Sequence, residues 1–409
     1  MTSQRISRHL LPGDRVETPY LELPFELSGT ERSLEVILRY DTQSAVIDLG
    51  CSGAAGWRGW SGGAKSRFVI TEAEASGGYS PGPLEAGRWA VVLGLHKVPE
   101  EGVTVEVEIN TPATGPVEAE PPAPPATTER RPGRLRNLPA SSGLRWYAGD
   151  FHAHTIHSDG SLSIRQLAAR AAGVGLDFLA VTDHNTVSHH RHLPGASAEY
   201  GISLLPGQEV TTARGHANAY GTIPWVDFRQ HPQTWVDSVT SNGGILSINH
   251  PVDGDCSWQW NLQRKPSHAE IMHSTWQYDL ASTSIWSWWN AWGTAGLTPL
   301  GGSDFHRLND GVELGTPTTW VAAADPSPEG ILEATLAGRT ALSMGSPSGG
   351  PVLLRVDDEL IAIDAEGAIF SDVDGRRRIV AGARERISAP GPGPFRLEAA
   401  DRRILAISA

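Results

Sequence analysis

The stretch GDFHAHTIHSDGSLS, residues 149–163, sets three histidines and two aspartates within a dozen positions. Metal-competent side chains at that density, just after an apolar run and just before a helix pattern, suggest the end of a strand feeding a site. Side chains at i and i+2 of a strand point the same way, so His152 and His154 can meet one ion. The following SLSIRQLAARAAGVG reads as the helix. Ser163 can cap it, Ile164, Leu167, Ala168 and Ala171 share one face, and Gly173 or Gly175 stops it.

Thirteen of the fifteen histidines lie between 152 and 306, so the chemistry is sought there. Within that region an apolar run with a metal-type ligand at its end recurs. LDFLAVTDHN ends at Asp183 and His184, and ISLLPGQEV at Glu209; GGILSINHP ends at His250, and TPLGGSDFH at Asp304 and His306. Alternating strands and helices predict an α/β domain. In a β/α barrel all strand C-termini open on one face, which would bring these scattered groups together. Imidazole and carboxylate without thiolate suit Zn, Mn or Fe better than a structural cysteine site. The candidates outnumber the needs of one ion. Two or three divalent ions sharing a bridging carboxylate would use them, with Glu209 as the bridge and a metal-bridging hydroxide as the nucleophile.

HAHTIHSDGS, VTDHN, GQEVTT, GHANAYG, INHP and GGSDFH together resemble the PHP (polymerase and histidinol phosphatase) metallohydrolase superfamily, over about residues 146–345. The upstream GPLEAGRWAVVLGL and the segment GTPTTWVAA…SPEGILEATLAGRT look like its CehA/McbA group. The resemblance implies a PHP-type distorted β/α barrel holding up to three metals. His152, His154, Glu209 and Asp304 would surround the first ion. Glu209, His216 and His250 would surround the second, His216 resting on the GHA seven residues after Glu209. Asp159, His184 and His306 would surround the third. Catalysis would centre on Glu209, Asp304 and His184. Phosphoester hydrolysis is implied across much of the superfamily, and carbamate ester hydrolysis in the group's namesake.

Other residues have plainer readings beside the functional one. Asp159 also suits a turn in Ser-Asp-Gly. Asp183 is expected to cap a helix or orient a ligand. His189, His190 and His192 are expected in a solvated loop, and His157 packed in a turn, with a proton shuttle as its alternative. Arg214 and Arg307 stand next to predicted ligands, where each could clamp a phosphate or pair in solvent. The run SIWSWWNAWG (284–293), with SWQW at 257–260, is a helix packed on the barrel or an apolar wall in which Trp288 and Trp289 face substrate.

Around this region the texture is β. LEVILRY, SAVIDLG, RFVITEA, RWAVVLGL and VTVEVEI, between Gly/Pro turns, predict a β-sandwich over 1–110. A Pro-rich linker or wrapping arm follows at 111–145, the metal-binding barrel spans 146–345, and a C-terminal β segment occupies 346–409. A second helix is expected at ILEATLAGRT, near 331–340.

The 409 residues carry a net charge of −13, which argues against nucleic acid as the main partner; the 30 arginines against three lysines have their plainest explanation in genomic base composition. No apolar run is long enough for a membrane helix or a secretory signal, so a cytoplasmic location is expected. Two cysteines, Cys51 and Cys256, make no disulfide framework. GSPSG at 345–349 has proline where a nucleophile elbow needs serine, and no phosphate-binding glycine loop is present. The expected activity is hydrolysis of a small-molecule ester. Phosphoesters come first and carbamate or carboxylic esters second; a non-catalytic, metal-stabilised binding module is the reading from another class.

Overall fold

Buried and exposed side chains alternate along VTVEVEI at Val103–Ile109, as expected of a strand with one face on a core. The computed structural model describes residues 2–126, 131–277, 285–292, 296–388 and 391–408. The chain divides into two units. One is Met1–Pro122 with His154–Ser163 and Asp183–Arg191; the other is Ala123–Ala153, Ile164–Thr182 and His192–Ala409.

The first unit contains strands β1 (Thr2–Leu10), β2 (Tyr20–Leu27), β3 (Ser33–Arg39), β4 (Val46–Gly53), β5 (Gly56–Gly62), β6 (Arg67–Thr71), β7 (Gly87–Lys97) and β8 (Val103–Thr111). They form two antiparallel sheets, in the orders β1-β8-β3-β6 and β2-β7-β4-β5. Phe25, Leu49, Val91 and Leu93 of one sheet share a core with Val36, Leu38, Val105 and Val107 of the other, which makes a sandwich. The five apolar runs are all strands. β1 lacks their alternation because TSQRISRHL is an almost wholly exposed edge strand, paired to β8 alone.

The second unit is built on a mixed sheet. Its strands are β9 (Arg145–Asp150), β10 (Phe178–Val181), β11 (Ser203–Thr212), β12 (Gly215–Tyr220), β13 (Ile245–Ile248), β14 (His268–His273), β15 (Thr298–Gly302), β16 (Thr318–Ala323) and β17 (Thr340–Ser343). β9, β10 and β11 run parallel, and so do β13, β14 and β15. Between the two sets stands β12, antiparallel to both neighbours. The wholly parallel arrangement expected from strand–helix alternation is therefore interrupted by a hairpin at Thr212–Gly215. The run order is β15 through β9, then β16, β17 and four C-terminal strands. Part of the C-terminal β segment thus extends this sheet, through β17 and Ile404–Ser408, while Val352–Val356, Glu359–Ile363 and Arg384–Ser388 pair in a sheet of their own. Backbone contacts also link the ends of β9 and β15: Asp304 N donates to the His152 carbonyl at 2.9 Å, and Ala153 bridges Phe305.

Helix Ile164–Val174 buries Ile164, Leu167, Ala168 and Ala171, and stops at Gly175, whose φ of +93° closes the last turn. The other helix runs Pro328–Leu336 behind Ser327, whose hydroxyl accepts from Gly330 N at 3.1 Å. It ends short of the expected 340 because Gly338, at φ +72°, turns the chain into β17. The Pro-rich stretch divides. Thr114 bonds to Glu35 in the first unit, while Pro124 accepts from Tyr200 and Arg134 pairs with Asp177 in the second.

Candidate metal centre

The second unit holds six of the nine proposed ligands, and three of its imidazoles gather around two carboxylates. β9 ends at Asp150 and delivers His152; Glu209 lies on β11, His216 opens β12, His250 follows β13, and Asp304 follows β15. His152 Nε2 stands 3.4 Å from Glu209 Oε1 and 3.1 Å from Asp304 Oδ1. The same Glu209 oxygen faces His216 Nδ1 at 3.0 Å and His250 Nε2 at 3.6 Å, and accepts from Asn249 Nδ2 at 2.8 Å. The β11–β12 register sets Thr211 opposite His216, which returns the imidazole to the Glu209 side chain across the hairpin.

His306 Nδ1 donates to the Asp304 carbonyl at 2.8 Å, which leaves Nε2 as its ligand atom. His250 and Asp304 adopt φ of +23° and +54°, a left-handed backbone that costs energy in non-glycine residues and clusters at functional sites. Asp150 pins the region, accepting from the backbone N–H groups of His152, Ser303 and Gly315 at 2.8–3.0 Å. Its burial raises its pKa, and the Ser303, His152 and Gly315 donors oppose the rise.

Burial disfavours a charged His152 imidazole, but Asp304, Glu209 and Glu270 outweigh it and hold the pKa well above the usual histidine range. His250 is raised by the same competition, with Glu209 its first partner. So many carboxylates around buried imidazoles call for positive charge at this point. His250 Nδ1 is moreover buried without a hydrogen-bond partner among the described residues. The donor set fits a divalent cation. Ligand atoms of Glu209, His216 and His250 lie within 4.8 Å of one another, as do those of His152, Glu209 and Asp304.

Strand β14 supplies two residues that the sequence reading missed. Glu270 Oε1 lies 3.2 Å from His152 Nδ1, and its Oε2 accepts from His250 N at 2.9 Å. His273 Nε2 lies 3.5 Å from Asp304 Oδ2, and the ligand atoms of His152, His250, Glu270 and His273 form a further group within 4.8 Å. The available signal was a carboxylate inside HAEIMH, a strand with every side chain buried. Gly302 makes room: a Cβ there would run into His152 Cβ and Glu270 Oε1. Partners that orient a ligating histidine typically affect metal affinity by about 10–100-fold. Glu270→Gln is therefore expected to weaken metal binding by about that factor while the fold holds, as read by metal titration. Unchanged affinity would show that Glu270 merely fills the strand.

The first unit holds the other three proposed ligands, on the loops after β9 and β10. The His154 and His184 rings stack at 4.3 Å, and His184 Nε2 stands 3.6 Å from Asp159 Oδ1. Asp183 organises these loops. It accepts from Thr155 N at 2.8 Å, Thr155 Oγ1 at 2.7 Å and Ser158 Oγ at 2.7 Å, and stands 3.3 Å from His189 Nδ1. Burial pushes its pKa up, but His189, His157 and His154 with these hydrogen bonds bring it down to about 2. His189 is thus fully buried rather than in a solvated loop, because the buried carboxylate requires a partner; His190 is half-buried and His192 exposed. His157 is packed in its turn, with Nδ1 2.7 Å from Ser188 Oγ.

The residues proposed to contact substrate belong to the second unit as well. The Arg214 guanidinium lies 4.0 Å over the Trp260 ring and donates to the Gln259 carbonyl at 3.2 Å; Arg307 is exposed. Trp288 stacks on Trp292 at 4.9 Å, and Trp292 meets Trp258 edge-on at 6.5 Å. Trp288 and Trp289 are half-buried. Ser284, Gly293 and the side chain of Trp286, from the same aromatic run, lie outside the described residues.

The sequence of this region has relatives. Residues 150–277 match the family model of the PHP domain. That span starts at the last residue of β9 and runs through β14, so it takes in His152 to His273 and stops before Asp304 and His306. A 5'-3' exoribonuclease of Haemophilus influenzae is 40% identical over 63 residues, which is 15% of this chain and 23% of that enzyme. The chain therefore spans under a quarter of that relative's length. An uncharacterized protein of Methanocaldococcus jannaschii is 23% identical over 118 residues, 26% of this chain and 69% of that one. Among solved structures, a two-domain protein from Bacteroides vulgatus containing a predicted PHP-like metal-dependent phosphoesterase aligns at 17% identity. It covers 71% of this chain and 99% of that chain, with a TM-score of 0.38. An amidohydrolase from Chromobacterium violaceum, with bound sulfate and no metal, aligns at 18% identity over 40% and 89% of the two chains, with a TM-score of 0.30. No described helix is long and apolar enough to cross a membrane.

Proposed function

We propose that this chain is a metal-dependent phosphoesterase acting on a small-molecule phosphoester, with its PHP region as the catalytic part and its strands as a distorted β/α barrel. One observation carries the reading. Glu209 belongs to two ligand groups at once, one with His152 and Asp304 and one with His216 and His250, which is where a bridging carboxylate would stand. In the second unit, His152, Glu209, His216, His250, Asp304 and His306 are ligands for divalent ions. His154, Asp159 and His184 are ligands in the first. Bound ions supply acidification of water and positive charge against the phosphoryl oxygens. The protein supplies the rest: Glu270 orients His152, Asn249 and His216 orient Glu209, and Asp150 fixes the strand ends.

A second reading, carbamate or carboxylic ester hydrolysis, draws support from the Trp288–Trp292–Trp258 cluster and from the resemblance to the CehA/McbA group. A panel with one leaving group separates the two. Mn- or Zn-loaded protein is assayed on naphthyl phosphate, naphthyl acetate and naphthyl N-methylcarbamate. Phosphate is expected to be the best substrate by kcat/KM. Preference for the carbamate or acetate would move the reaction to acyl chemistry.

A further inference from the structure

Against thirty arginines the chain has three lysines, and they are placed differently. Lys97 is exposed, and Lys265 lies over the Trp292 ring, 5.0 Å from its centroid. Lys65, in the turn between β5 and β6, is half-buried, and its Nζ donates to the carbonyl of Ile156. Ile156 lies between His154 and Asp159, so a sandwich turn delivers an ammonium into the ligand-bearing loop of the same unit.

That loop is held against the sandwich. Gly78 N donates to Ser188 Oγ at 3.1 Å and to His157 Nδ1 at 3.4 Å, while Thr186 Oγ1 donates to the Gly78 carbonyl at 2.8 Å. A Cβ on Gly77 would stand 2.8 Å from the Ile156 carbonyl, so the two backbones approach too closely for any other residue. Burial lowers the pKa of the amine from the ordinary lysine range, and Asp183, then Glu118 and Asp159, oppose that fall. Asp183 is committed to Thr155 and Ser158. An ammonium has three N–H donors, and Ile156 takes one.

We infer that Lys65 is an anion-binding residue, contributed by the β-sandwich, that contacts a phosphoryl oxygen of a phosphoester beside the Asp159–His184 pair. The inference rests on the phosphoesterase reading for its substrate. A compact ammonium on a flexible stem suits a single contact to a phosphate oxygen, where a planar guanidinium needs a wider, bidentate berth.

The test uses the metal-loaded full chain, as wild type, Lys65→Met and Lys65→Arg. Binding of inorganic phosphate is measured by calorimetry, alongside metal content and turnover of naphthyl phosphate and naphthyl acetate. A charge-assisted hydrogen bond predicts at least about tenfold weaker phosphate binding in Lys65→Met. KM for naphthyl phosphate should rise comparably, metal content and acetate turnover should hold, and Lys65→Arg should recover part of the affinity. Equal phosphate affinity in wild type and Lys65→Met, or no phosphate binding by either, overturns the assignment. Wild type that hydrolyses only the acetate, with phosphate affinity still lost in Lys65→Met, removes the phosphoesterase reading and leaves the anion site standing.

Discussion

Glu209→Gln is expected to lower kcat/KM by on the order of 10³-fold or more while the protein stays folded. The amide keeps the volume of the carboxylate, and its oxygen can still accept from Asn249 Nδ2, now 2.8 Å from Oε1. What disappears is negative charge at the point faced by His152, His216 and His250. Electrostatic stabilisation by bound metals is worth several kcal/mol, and each 1.36 kcal/mol is about tenfold in rate. Metal content and rate should fall together, with the thermal midpoint of the metal-free forms little changed. Rates within twofold of wild type would remove Glu209 from the bridge.

Metal removal has the second large effect, and its pH dependence follows from the histidines. Burial disfavours the charged forms, but Asp304 above all holds the folded pKa of His152 well above the ordinary histidine range, and that of His250 is raised too. A raised folded pKa contributes stability that is fully present below the unfolded value, about 6.5, and is lost as pH rises through the folded value. Metal-free protein should therefore lose stability on the alkaline side of 6.5, where the carboxylates around His152 lack their counter-charge. Metal replaces that proton. Chelation should abolish turnover, and re-addition of Mn or Zn should restore it. The gain in thermal midpoint on adding metal should grow between about pH 6.5 and 9. At a metal concentration a hundredfold above Kd, linkage alone gives about 2.7 kcal/mol. A pH-independent gain would show that these imidazoles are not the groups the metal binds.

Much of the site was readable because ligands at strand ends carry a local signature. His152, Glu209, His250 and Asp304 each close an apolar run, and the fold brings all four together in the second unit. His216 was reached through the family resemblance, and the β11–β12 hairpin supplies the physical reason for its position: the reversal at Thr212–Gly215 folds it back on Glu209. That reversal was not legible, since a lone strand pattern does not encode its partner's direction. Glu270 was hidden because one carboxylate in a buried strand repeats no motif. His189 was misread as solvated because its partner Asp183 is six residues upstream, across a loop whose packing no local pattern reports. Long-range packing also decides that His154–Ser163 and Asp183–Arg191 cluster with the N-terminal sheets. Strand β1 went unseen for the opposite reason: an exposed edge strand needs no apolar alternation.

The most direct test of the metal-dependent account is the number of divalent ions held per chain. Protein purified in Mn or Zn, passed through mild chelation and dialysed, is analysed by plasma mass spectrometry beside Glu209→Gln. The account predicts two or more ions per wild-type chain and fewer in the variant. Less than one ion per wild-type chain, or equal counts in the two proteins, would contradict it.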